Sequence, residues 1–117
     1  MRRPDDNPRY TLQTNFVPED PMVNMRRALF ARPVEFRGRV RLAVRLAIPW
    51  RQEPMTEEAV EALVGTCLMT MLDPHDAERA GRVMEREQPE DLEEAIEALC
   101  DWTVRRERAR LRRVTRA

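Results

Sequence analysis

Two apolar periods divide this chain. From Arg39 to Ile48 the residues alternate: Val40, Leu42, Val44, Leu46 and Ile48 take one set of positions, and Arg39, Arg41, Ala43, Arg45 and Ala47 take the other. A period of two suits a strand, whose successive side chains point to opposite faces, and a helix cannot gather such positions into one apolar face. The pattern predicts a strand over 39–48. Val34 and Phe36 precede it across Arg37-Gly38 as an expected short hairpin partner. Tyr10, Leu12, Thr14 and Phe16 also alternate, which predicts a further short strand ended by Pro18. The first eight residues, with Pro4 and Pro8, read as an arm, and Pro49 and Pro54 enclose an extended linker around Trp50.

Helical spacing dominates elsewhere. Asp20-Pro21 pairs a capping side chain with proline at the first helical position, and predicts a short helix carrying Met22, Met25, Leu29 and Phe30 on one face, stopped by Pro33. Thr56 is an N-cap, with Glu57 and Glu58 in the first turn where the helix dipole favours acids. Val60, Leu63, Val64, Cys67, Leu68 and Met71 then recur as a core-facing stripe, which Met69 and Leu72 widen, so that this helix is expected to end buried nearly all round. Asp73-Pro74 opens another helix, to about Glu87, whose thin stripe of Ala77, Ala80, Gly81 and Met84 allows close packing. After Pro89, Leu92, Ala95, Ile96, Leu99, Cys100, Thr103 and Val104 form the face of the longest helix, with no Gly or Pro before the C-terminus. Run from Glu90 to Thr115, it would be about 39 Å long, more than a domain of this size can cover.

These elements predict an α+β fold: a small antiparallel sheet of two or three strands packed on three main helices, with a long C-terminal helix extending outward. An all-α fold is the alternative, should 39–48 be helical. The expected organisation is an N-terminal arm over 1–8, a single domain over 9–104 and an Arg-rich helical extension over 105–117.

Composition changes the picture in one respect. The chain has 117 residues, enough for one core, and its charged fraction of 36% is well above the usual quarter. All 21 basic residues are Arg, there is no Lys and no Ser, and the formal net charge is zero. The Arg bias fits a GC-rich genome, and its consequence is that every cation is a permanently ionised fork suited to phosphate or carboxylate. The charge is segregated: residues 1–52 hold 11 Arg against 5 acids, 53–101 hold 3 against 15, and 102–117 hold 7 against Glu107 alone. Such blocks create a strong local field despite the null total.

Several chemistries are excluded. Without Ser there is no serine nucleophile, and without Lys there is neither a Schiff base nor a phosphate-binding P-loop. Only Gly38, Gly65 and Gly81 occur, too few for a glycine-rich phosphate cradle. Cys67 and Cys100 stand far apart in the chain, in no metal or redox spacing, and each lies on an apolar helical face, so they read as core. Asp73-Pro74-His75-Asp76 gathers two carboxylates and the single imidazole, but Asp73 is better used as a helix cap. Paired acids such as Glu93 and Glu94 belong to solvated faces, and a catalytic carboxyl needs burial to raise its pKa. No enzyme, metal or cofactor is expected. The longest uncharged central run, Ala62 to Leu72, is too short for a bilayer, and the start of the chain lacks a signal-like apolar stretch, so no membrane association and a cytoplasmic setting are expected.

The arginines carry the functional expectation. Arg105, Arg106, Arg108, Arg110, Arg112 and Arg113, with Arg116 beyond, cluster in the last helix. The cluster resembles the short arginine-rich motifs with which certain phage and viral proteins enter RNA grooves, over about a dozen residues. The resemblance implies salt-sensitive phosphate binding. Arg39, Arg41 and Arg45 form a second row on the polar face of the predicted strand, which Arg37 extends if the register continues through Gly38. The competing readings are a helix end suited to the dipole, with Asp101 and Arg105 paired, an edge strand protected by charge, and a tail lying on the acidic block of a neighbouring subunit. The function expected is a non-catalytic small subunit of a bacterial or phage nucleoprotein complex, binding RNA or DNA. The alternative is a protein-assembly or adaptor subunit, such as a phage structural protein or homo-oligomer, held by charge-complementary contacts. An enzyme built on His75 and a carboxylate stands third.

Overall fold

The structure, a computed structural model, describes residues 20–48 and 55–116, with side chains to Arg110. The arm, the strand expected at Tyr10–Phe16 and the Pro49–Pro54 linker lie outside the described residues. The described chain forms five helices: α1 (Pro21–Ala31), α2 (Pro33–Ala47), α3 (Glu57–Leu72), α4 (Pro74–Glu87) and α5 (Leu92–Arg116).

Among the described residues there is no strand, so the α+β expectation is wrong and the all-α alternative describes the fold. The strand at 39–48 and its hairpin partner are one helix, α2. The error has a physical source. Val40, Val44 and Ile48 are four apart, a spacing that is both two strand repeats and nearly one helical turn. Phe36 extends the series backward, and Ala43 and Ala47 fill the same arc of a helix. Phe36, Val40, Ala43, Val44 and Ile48 are buried and Ala47 partly so. Leu42 and Leu46, which a sheet would bury with Val40 and Val44, stand instead on the opposite, exposed side. Composition also favours the helix, since Arg, Leu and Ala supply most of residues 39–47.

The helix starts follow the capping chemistry. Asp20 Oδ1 accepts from Val23 N at 3.3 Å, Thr56 Oγ1 from Ala59 N at 3.1 Å, and Asp73 Oδ2 from Asp76 N at 2.9 Å. At the start of α5, Asp91 Oδ1 accepts from Glu94 N at 2.9 Å and Glu94 Oε2 accepts from Glu90 N at 2.7 Å, a reciprocal arrangement close to a capping box. Gln88 ends α4 in the left-handed region at φ 48°, its amide donating to Met84 O at 2.8 Å.

The fifth helix is central and packs on the other four, most extensively on α2. All seven positions of its predicted face, Leu92 to Val104, are buried. Phe36, Met25, Met71, Leu92, Ile96 and Leu99 are the largest fully buried side chains, so the core is aliphatic and methionine-rich with one phenylalanine. Two expectations fail at helix ends. Met69 and Leu72 are exposed instead of closing the end of α3, and Phe30 is exposed instead of sharing the face of Met22 and Met25. No described helix is long and apolar enough to cross a membrane.

Candidate functional site

The arginine row dissolves in the helix. Arg39 and Arg41, two residues apart, lie about 160° apart around a helix instead of side by side. Arg37, Arg41 and Arg45 follow one another at four-residue intervals along the flank of α2 that faces α3. Glu57 and Glu61 supply the matching four-residue interval on α3. Arg37 Nη2 donates to Glu61 Oε2 at 2.9 Å, Arg41 Nε to Glu61 Oε1 at 2.6 Å, and Arg45 Nη2 to Glu57 Oε1 at 2.7 Å. Arg39 pairs on the other flank with Glu93 of α5 at 2.6 Å. Arg37, with Arg41 adding to it against the opposing effect of burial, holds the Glu61 carboxyl below the ordinary glutamate range. The row expected to contact phosphate therefore staples α2 to its neighbours. Each pair is at least one-third exposed, so solvent screens it and it contributes little individually.

The tail arginines are also engaged. Arg105 Nε lies 3.2 Å from Asp101, and Arg110 Nη2 lies 3.1 Å from Glu107. Arg106 is the most enclosed of the three, 3.1 Å from Asp76 of α4, with its guanidinium 5.1 Å from the centroid of the Trp102 ring. Arg108 has an interaction of its own. The helix continues through Arg112 and Arg113, whose side chains lie outside those described. Beyond residue 102 the sequence still carries seven Arg against one Glu, more cation than these local acids neutralise.

The two cysteines, distant in sequence, are brought together between α3 and α5. Both are fully buried free thiols, and Cys100 Sγ also lies 3.9 Å from Val40 O. The adjacent Cys67 and burial together push the Cys100 thiol far above the ordinary range. A thiol held protonated and sealed from solvent is a poor nucleophile. Asp73 caps α4, His75 is exposed, and Asp76 is occupied by Arg106, so this tripartite group does not converge. Among the described residues no cluster of three or more His, Cys, Asp or Glu is arranged to hold a metal ion.

Besides Phe30, Met69 and Leu72, the exposed large apolar residues among those described lie on the outer side of α2. Val34 is 85% exposed, Leu42 53% and Leu46 72%. Leu42 and Leu46 border a shallow open cleft of about 50 Å³ between α2 and α5, together with Ala43 and Ile96. The Arg39–Glu93 ion pair and the Glu97 carboxylate form its polar rim. Gly38 lies one turn before Leu42, and a Cβ built on it meets nothing within 4 Å. A strand over 39–48 would bury both leucines on a sheet face, so this surface has no place in the α+β expectation. The helical wheel of 36–48 carries the signal, because Leu42 and Leu46 are the two large apolar residues it cannot place inward.

No protein family, no curated protein and no solved structure matches this chain.

Proposed function

We propose that this chain is a non-catalytic assembly subunit that binds a protein partner through the outer face of α2 and the adjoining α2–α5 cleft. The observation that carries the reading is the exposure of Leu42 and Leu46 at the mouth of an apolar cleft whose own helices leave it open. Apolar side chains grouped at a cleft and rimmed by charge mark interaction surfaces, whereas scattered ones do not. The pairing of Arg37, Arg39, Arg41 and Arg45 with the chain's own carboxylates supports the same choice, because a phosphate would have to compete with those carboxylates for the α2 guanidinium groups. The test is the double substitution Leu42→Asp with Leu46→Asp, followed by sedimentation and thermal unfolding. Self-association or binding to a partner encoded alongside the chain should be lost, while the melting temperature measured at low protein concentration, where the chain does not associate, holds. Retained association refutes the reading.

A second reading, nucleic-acid contact, is favoured by one observation: α5 continues as helix into a segment with seven Arg and one Glu. It rests on residues 105–113 alone. Its signature is a steep fall in affinity for an RNA or DNA duplex as salt rises, because phosphate neutralisation releases counterions.

A further inference from the structure

The cleft and the tail belong to one helix, and this limits what can join them. Glu93, Ile96 and Glu97 sit near the start of α5, and Arg105–Arg116 form its end. Val104 is the last fully buried residue of α5 among the side chains described. From there the helix continues for about 18 Å at 1.5 Å per residue. The sequence has no Gly or Pro after Pro89, and α5 is uninterrupted from Leu92 to Arg116. A continuous helix cannot double back on its own first turns, so this tail can reach such a cleft only on another molecule.

The two surfaces also match chemically. The cleft offers Leu42, Leu46 and Ile96 beside Glu97, which has no ion-pair partner among the described residues. The tail offers, in sequence, Leu111 and Val114 among Arg110, Arg112 and Arg113. Whole segments show the same complementarity, with 15 acids against 3 Arg over 53–101 and 7 Arg against one acid over 102–117.

We propose that the C-terminal end of α5 of one copy docks in the α2–α5 cleft of a second copy, so that the partner named only as a protein above is this chain itself. The inference rests on the assembly reading of that cleft. Arginine forks meet the Glu97 side of the rim, and aliphatic side chains cover Leu42 and Leu46. A cleft of about 50 Å³ is small, so the contact belongs with the weak, salt-sensitive interfaces.

A charge-reversal exchange on the full-length chain tests this, with sedimentation equilibrium as the readout. Glu97→Arg alone, and Arg112→Glu with Arg113→Glu alone, should each weaken self-association by about tenfold or more. An equimolar mixture of the two variants should restore it, because each cleft then faces a tail of opposite charge. Glu97 is exposed, and circular dichroism verifies that every variant folds. Wild-type chain that stays monomeric overturns the proposal, as does a mixture that associates no better than its parts. If Leu42→Asp with Leu46→Asp dissociates the chain but the tail reversal does not, the tail proposal falls and the assembly reading stands. If neither change affects association, both fall. If the tail reversal abolishes salt-dependent nucleic-acid binding and leaves association intact, the tail serves nucleic acid and the proposal is overturned.

Discussion

Replacing Val44 and Leu46 separately by Ala measures the helical phase of α2, on which every placement above depends. In a strand the two residues share one face, and leucine, which loses more atoms, would be the more costly loss. In α2 they diverge: Val44 is fully buried and Leu46 is 72% exposed. Val44→Ala removes two buried carbon atoms, worth about 1.6 kcal/mol at roughly 0.8 kcal/mol each, and the residual cavity adds to this. The expected loss is about 2 kcal/mol. Leu46→Ala removes atoms already in contact with solvent and should stay within about 0.5 kcal/mol. For a chain of this size each kcal/mol lowers the melting temperature by about 3–6 °C, so Val44→Ala should melt about 6–12 °C below wild type. Urea unfolding followed by far-ultraviolet circular dichroism reads the same difference as a midpoint shift at constant slope. The measurement is made at low protein concentration, because association through the α2 face would stabilise the native state and exaggerate the Leu46 effect. A Leu46→Ala loss equal to or larger than that of Val44→Ala would refute the helical assignment.

Gly38→Ala should stabilise the chain by about 0.5–1 kcal/mol, since the site is inside a helix and a Cβ there is unobstructed; a destabilised variant in thermal unfolding would contradict the open space assigned to it. The Glu61→Gln variant tests the α2–α3 staple through pH. Because Glu61 titrates lower in the folded chain than in the unfolded one, its stabilising contribution is complete above its ordinary value of 4.5 and is lost as pH falls through the lower folded value. The stability gap between wild type and Glu61→Gln should accordingly be open at neutral pH and close in acid, and a gap independent of pH disproves the pairing. Cys67 and Cys100 should resist a soluble thiol reagent in the native chain and both react in denaturant, so rapid native labelling would contradict their burial.

Much of the helical half was legible from local rules. Asp20, Thr56 and Asp73 cap helices as their positions before Pro or acidic first turns predict, and the apolar face of α5 is buried at every predicted position. Those signals lie within a turn or two of chain, where capping and a 3.6-residue period suffice. The arginine row of α2 was misread because its meaning depends on phase. As a strand, Arg39, Arg41 and Arg45 would share one face, whereas the helix turns Arg39 toward Glu93 and the others toward Glu57 and Glu61.

Local patterning suffices to place the starts of most helices, most of the inward faces of α3, α4 and α5, and the division of charge into blocks. Tertiary structure alone decided between two readings of Val40, Val44 and Ile48, because a spacing of four satisfies both periods and only neighbouring helices reveal which residues are covered. It also decided that α2's arginines meet acids distant in sequence, that Cys67 meets Cys100, and that Leu42 and Leu46 remain outside. Each of these is a contact, or the lack of one, between separate helices, and such contacts have no local signature in the chain.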